Sequence, residues 1–255
     1  MSNLEQPEIC GFLLVDKPNG MTSSDCVQEI RSIVGRTSRV GHAGTLDAFA
    51  TGLLVIGVGR AATKHLSTIM VLDKTYQAQA KLGQLTDTLD MTGRVLIDET
   101  PTITREAIEK AISSLGSVYK QTPPVYSALK YQGKSLSKLA RAQLLTEQAL
   151  SNIADEKSRD VQIYSCNLLE LTLPFFTIEA RVSHGTYIRS LMNDIARLCG
   201  TYATTHELRR LTIGPWSVEK AVTLRELRTI DCIKERIITI VDMHTALTSY
   251  AFTKL

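Results

Sequence analysis

Two side chains able to do chemistry, His42 and Asp47, stand in the stretch GHAGTLDAFATG, residues 41–52. A carboxylate can serve as nucleophile, general base or electrostatic stabiliser. Glycine and alanine around it let the backbone approach a ligand closely. The same composition also makes an ordinary turn in which the aspartate caps free amides. Taken alone, the stretch supports the turn; the rest of the chain must decide.

Other reactive side chains do not cluster. Cys10, Cys26, Cys166, Cys199 and Cys232 are odd in number, scattered and without a CxxC pair. That pattern predicts reduced, mostly buried thiols and neither a disulfide framework nor a zinc site. The histidines are equally dispersed, so no metal is expected. The net charge of +3 is small, but its distribution is uneven. Lys130, Lys134, Lys138 and Arg141 form one acid-poor group, Arg31, Arg36 and Arg39 a second, and Arg209 with Arg210 a third. Each alone reads as a solvated surface; together they fit an anionic partner.

The elements that must position these residues follow from periodicity and punctuation. CGFLLVDKPNG reads as a buried strand ending in a Pro/Gly turn. SSDCVQEIRSIVG reads as a helix with serine at its cap and Cys26, Val27, Ile30, Ile33 and Val34 on one stripe. LLVIGVG and TYQAQAKLG are strands, and QLTDTLDMTG is a loop. TREAIEKAISSLG is a helix between Thr104 and Gly116. QTPPVYSALK is extended because of its prolines. VQIYSCNLLELTL and FFTIEARV form a hairpin around Pro174. TYIRSLMNDIARLCG places Ile188, Leu191, Met192, Ile195 and Leu198 on one helical face. The box TLRE, residues 223–226, opens a last helix. Strands and helices mix without strict βαβ alternation, which predicts an α+β fold with a mixed, largely antiparallel sheet. Gly57, Gly59 and Ala62 match a loose dinucleotide fingerprint, but no acid ends the following strand and the pattern does not open the domain. Those glycines read as packing positions, and no nucleotide cofactor is expected. No apolar run is long enough to span a membrane, and MSNLEQPEIC lacks the features of a signal peptide, so a cytoplasmic protein is expected.

GFLLVDKPNGMTS, residues 41–64, KTYQAQAKLGQLTDTLDMTG, TPPVYSALKYQGKSL, SHGTYIRSL and LRRLTIGPW occur in this order. Together they resemble the successive motifs of the TruB-type tRNA pseudouridine synthases, from about residue 10 to about residue 217. The resemblance implies an isomerase that flips uridine 55 out of the T loop of tRNA. It breaks the N1–C1′ bond, rotates the uracil and joins C5 to C1′, with no cofactor. It implies a mixed sheet, mainly antiparallel, flanked by helices.

By position, Asp47 matches the family's catalytic aspartate. It would attack C1′ or uracil C6, or assist base loss electrostatically. Arg189 matches the arginine that pairs with it, Tyr76 the tyrosine that stacks on the base and is a candidate to remove the C5 proton, and Tyr187 a second pocket tyrosine. Leu208 matches the leucine on the apolar side of the pocket, and His42 the histidine implicated in everting the uridine. Lys17 and Pro18 belong to the first motif and imply support of the pocket. Lys130, Lys134, Lys138 and Arg141 fall in the insert, about 122–150, that clasps the T arm through phosphates.

The chain departs from the family at Ala48 and Phe49, where Pro and Leu are usual, and at His184, where lysine is common. Ser137 and Leu139 replace aromatic residues of the insert. A catalytic domain over 1–217 is expected, followed over 218–255 by one helix and a tail in place of a C-terminal RNA-binding domain. The expected partner is the tRNA T arm, engaged by a monomer. A tRNA-binding or tRNA-folding protein with little catalysis is the competing reading; retention of Asp47, Tyr76 and Arg189 speaks against it.

Overall fold

The computed structural model describes residues 9–252, so most of the N-terminal decapeptide and the last three residues lie outside it. The chain is α+β, and its strands pair mostly antiparallel. It divides into two compact units, residues 1–75 with 209–255, and residues 76–208. The division falls inside two strands, Lys74–Leu82 and Ala203–Ile213.

In the first unit, strand Gly11–Lys17 runs antiparallel to Thr51–Val58 along its whole length, Gly11 opposite Val58 and Lys17 opposite Gly52. Val222–Thr223 lies parallel on its other side. Arg209 and Arg210 run parallel to Thr51 and Gly52. The two long strands carry unbroken apolar runs, residues 11–15 and 52–58, because both their faces are covered. Leu13, Val15, Leu54 and Ile56 pack with Cys26, Val27 and Ile30 of helix Ser23–Val34. Phe12, Leu14, Leu53 and Val55 pack with Ile69, Trp216 and Met243.

The helix is capped by Thr22, not serine. The Thr22 hydroxyl accepts from the Asp25 amide, and the Asp25 carboxylate accepts from the Thr22 amide. The TLRE box forms as expected, but it opens a 3-10 turn, Leu224–Glu226. Two helices follow, Ile230–Arg236 and Ile240–Phe252, where one was predicted. They are tied to the sheet by paired backbone hydrogen bonds between Phe12 and Ile238, 2.9 and 2.8 Å, and by fully buried Met243.

Gly57 and Gly59 serve packing. A Cβ would stand 3.1 Å from the Leu66 side chain at Gly57 and 2.9 Å from the Ile9 carbonyl at Gly59. The helix that follows, Arg60–Thr63, is a single turn.

In the second unit the strand order is Ala203–Ile213, Lys74–Leu82, Phe175–Val182, Arg159–Thr172, Val118–Gln121. The hairpin around Pro174 and the helices Arg105–Leu115 and Ile188–Leu198 form as predicted. Leu198, assigned to the apolar face, is instead 54% exposed at the last turn. The segment read as a loop contains a short strand, Gln84–Thr86, paired with Val95–Asp98. The insert builds its own small core from Leu136, Leu139, Leu150 and Ile153, carried by helices Leu136–Arg141 and Glu147–Glu156.

Candidate active site

Asp47 lies half-buried in the loop between strands Val40–His42 and Thr51–Val58. A loop with buried backbone must find partners for its amides and carbonyls. Here three side chains from other elements supply them. Ser23 accepts from the Leu46 amide at 2.8 Å and donates to the Leu46 carbonyl at 3.3 Å. Lys17, with no exposed surface, donates to the carbonyls of Pro18 (2.8 Å), Met21 (2.6 Å) and Ala48 (3.2 Å). Arg210, 1% exposed, donates from Nε to the Leu53 carbonyl at 2.7 Å and from Nη2 to the Gly44 carbonyl at 3.1 Å. One cation thus closes both ends of the loop, and another fixes the residue after Asp47.

Gly52 makes this possible. Its φ is +103°, and a Cβ there would sit 2.3 Å from the Arg210 carbonyl oxygen. Burial pushes the Lys17 ammonium below the usual lysine range, and the negative charge of Asp47 offsets only part of this. His42 is half-buried. Burial first, then the charge of Arg210, lowers its pKa, and the Gly44 backbone offsets only part of this. The imidazole is therefore neutral at physiological pH, and its buried Nδ1 has no hydrogen-bond partner among the described residues.

In the second unit Arg189, in the first turn of helix Ile188–Leu198, is 4% exposed. It donates to the Asp90 carboxylate at 3.1 Å, to the Thr88 carbonyl at 2.5 Å and to the Tyr126 carbonyl at 2.9 Å. Asp90 is held in turn by Thr88 Oγ1 (2.9 Å), the Thr92 amide (3.0 Å) and Thr92 Oγ1 (2.5 Å). Gln121 clamps the Tyr187 backbone by accepting from its amide at 2.8 Å and donating to its carbonyl at 3.1 Å. The same amide nitrogen bonds Tyr119 Oη, which donates to Asp194 at 3.4 Å. Burial raises both Tyr119 and Asp194, the latter to about 6 despite the charge of Arg197. The Arg159 guanidinium lies 5.8 Å from the Tyr187 ring centroid, an aromatic face open to a cation. Tyr76 and Leu208 are both buried.

The four cations of the insert, Lys130, Lys134, Lys138 and Arg141, are exposed and have no ion pair among the described residues. They are available to an anion. The third basic group is not. Arg210 is buried, and Arg209 is committed to Asp16 through bonds of 3.0 and 2.7 Å. Cys26 is buried and the other four thiols half-buried, all free. Among the described residues no three His, Cys, Asp or Glu side chains converge as a metal would need.

Sequence reasoning missed Arg210, Asp90 and Gln121. Their type gave no signal, because each acts on backbone or on one partner that only the fold brings near.

The model of the TruB family pseudouridylate synthase N-terminal domain matches residues 31–188. The tRNA pseudouridine synthase B of Thermosipho melanesiensis is 42% identical over 212 residues, 83% of this chain and 66% of that protein. The protein of the same name from Azoarcus sp. is 41% identical over 217 residues, 85% of this chain and 69% of its own length. This chain therefore spans about two thirds of those relatives. A chain in the crystal structure of a Cbf5–Nop10–Gar1 complex matches with a TM-score of 0.68 at 23% identity, over 92% of this chain and 61% of that one. At that identity the likeness speaks for the fold.

Proposed function

The chain belongs to the TruB family of pseudouridylate synthases, and from that premise we propose that it isomerises uridine 55 in the T loop of tRNA. Asp47 is the essential carboxylate. His42, Tyr76, Tyr187, Arg189 and Leu208 receive the everted uridine, and Lys130, Lys134, Lys138 and Arg141 hold the T-arm backbone. The enzyme works as a cytoplasmic monomer. No helix among the described residues is long and apolar enough to cross a membrane.

The observation that carries the reading is the manner in which Asp47 is held. A turn that merely reversed the chain would need neither a fully buried lysine nor a fully buried arginine on its carbonyls. Three donors from other elements fix the backbone on both sides of one carboxylate. Catalysis by orientation requires that kind of fixation. The carboxylate supplies either a nucleophile or a fixed negative charge as the glycosidic bond breaks, and both roles need it ionised. Removing a base from the stack costs a few kcal/mol, which a buried aromatic such as Tyr76 can return by stacking. Neutral His42 is suited to the space the base leaves, because entering a stack costs less without a charge.

The test is an unmodified tRNA transcript incubated with wild type and with Asp47→Asn, followed by mapping of pseudouridine. Wild type forms it at one T-loop position, and the variant binds RNA without forming it. RNA binding by well-folded wild type with no pseudouridine would overturn the reading.

A further inference from the structure

Residues 30–72 contain one carboxylate, Asp47, against Arg31, Arg36, Arg39, Arg60 and Lys64. Three of these arginines meet in one place. Arg31, Arg36 and Arg39 line a cavity of about 440 Å³ in the first unit, together with Gly41 and Thr63. Arg31 is anchored by donating to Gln28 Oε1 and the Val40 carbonyl, both at 3.1 Å. Arg36 and Arg39 are exposed, and neither has an ion pair or side-chain hydrogen bond among the described residues.

Three like charges around one concavity repel each other unless an anion joins them. The hydroxyl protons at the rim are already spent, Ser38 on the Val34 carbonyl at 3.2 Å and Thr63 on the Arg60 carbonyl at 3.1 Å. The donors left over are guanidinium forks, whose geometry fits phosphate oxygens. Because Arg36 and Arg39 are exposed, the cavity is open to solvent and admits a phosphate still joined to two sugars. Val40 and Gly41 also line it, and their strand, Val40–His42, leads directly into the Asp47 loop.

We propose that this arginine cavity binds a phosphodiester of the RNA substrate, as an anchor separate from the insert. It rests on the reading of the chain as an RNA-modifying enzyme. Anchoring here fixes the RNA strand on the element that carries His42, and it reads charge rather than base identity.

The test compares wild type, R36Q/R39Q and R36K/R39K on a T stem-loop RNA, by fluorescence anisotropy over a series of salt concentrations. R36Q/R39Q is expected to weaken binding roughly tenfold at low salt and to lower the salt slope by about 0.7 for each phosphate it no longer neutralises. R36K/R39K, which keeps the charge, retains most of the slope. In turnover the loss from R36Q/R39Q falls mainly on KM. An unchanged Kd overturns the proposal, as does weaker binding with an unchanged slope. A melting-temperature rise with inorganic phosphate that the glutamines abolish, without any change in RNA binding, assigns the site to a free anion and also overturns it. If wild type binds the RNA but forms no pseudouridine, the proposed function fails, and the Kd comparison still decides the arginine site.

Discussion

Replacing Lys17 by methionine separates support of the Asp47 loop from the chemistry proposed for it. Lys17 is fully buried, and its ammonium bonds the carbonyls of Pro18, Met21 and Ala48. Methionine keeps the length and apolar volume of the stem but leaves the part-buried carbonyls of Pro18 and Met21 without this donor, and that of Ala48 with the Gly20 amide alone. Each costs about 1–3 kcal/mol. Removing the ammonium also removes its own desolvation cost, a few kcal/mol for a buried ion and visible in its lowered pKa. The net expectation is a destabilisation of about 2–4 kcal/mol, read as a shift in the urea midpoint at unchanged m-value. Ala48 follows Asp47 directly, so loosening its carbonyl misplaces the carboxylate. A displacement near 1 Å costs about a hundredfold in rate. The single-turnover rate, measured where the variant is fully folded, should drop by about that factor while RNA affinity changes little. Full activity in a folded but destabilised variant would refute the positioning argument. Unchanged stability would refute the burial argument beneath it.

Gly52→Ala forces a Cβ against the Arg210 backbone at a φ of +103°. It should lower stability by about 3 kcal/mol or more, seen in thermal unfolding, and tolerance of alanine would contradict the close approach. Asp194, raised to about 6, binds its proton more tightly in the folded than in the unfolded chain. Its contribution to stability is therefore complete below the unfolded value near 3.8 and lost as pH rises through 6. Asp194→Asn should stabilise the protein by about 1–3 kcal/mol at neutral pH and flatten urea stability between those two pH values. An unchanged profile would place the proton elsewhere. Neutralising Lys130, Lys134, Lys138 and Arg141 together should weaken T-arm binding and cut the salt slope by up to about 0.7 for each phosphate these cations neutralise; an unchanged slope would remove the insert from the interface.

Most elements were legible because their signals are local. Thr104 and Gly116 bracket a helix by capping chemistry alone, and the unbroken apolar runs of residues 11–15 and 52–58 announce strands covered on both faces. The errors sit where a local signal had two outcomes. TLRE satisfies its box equally well at the head of a 3-10 turn. Leu198 continues the helical stripe of Ile195 but falls where the helix ends, beyond the reach of the core. Val95–Asp98 is too short and too exposed to read as a strand without its partner Gln84–Thr86. Among the candidate site residues, Asp47 and His42 could be singled out by residue type and setting, and Tyr76, Tyr187, Arg189 and Leu208 only through the ordered motifs. Arg209 and Arg210 looked like a paired surface charge, yet adjacent strand residues point to opposite faces. One reaches Asp16 and the other the loop carbonyls.

The buried cations explain why the loop is built from small residues. Irregular backbone has carbonyls that no ladder satisfies, and burying them requires donors from elsewhere. Lysine and arginine carry several N–H groups on a long stem, so one side chain can satisfy two or three carbonyls at once. Room for such stems exists only if the loop itself contributes little bulk, as Gly44, Ala48 and Gly52 do. The small residues and the buried cations are then two halves of one device, which places Asp47 through its neighbours' backbone. Ala48, where the family usually has proline, tests that logic. Its carbonyl accepts from both Lys17 and the Gly20 amide, so stiffness that a proline ring would provide is supplied by hydrogen bonds. Ala48→Pro keeps that carbonyl and should leave activity within a few-fold, whereas combining it with Lys17→Met should recover part of the rate lost to Lys17→Met alone. Recovery would show that lysine and proline act on the same freedom of the loop, and its absence would show that Lys17 contributes something other than rigidity.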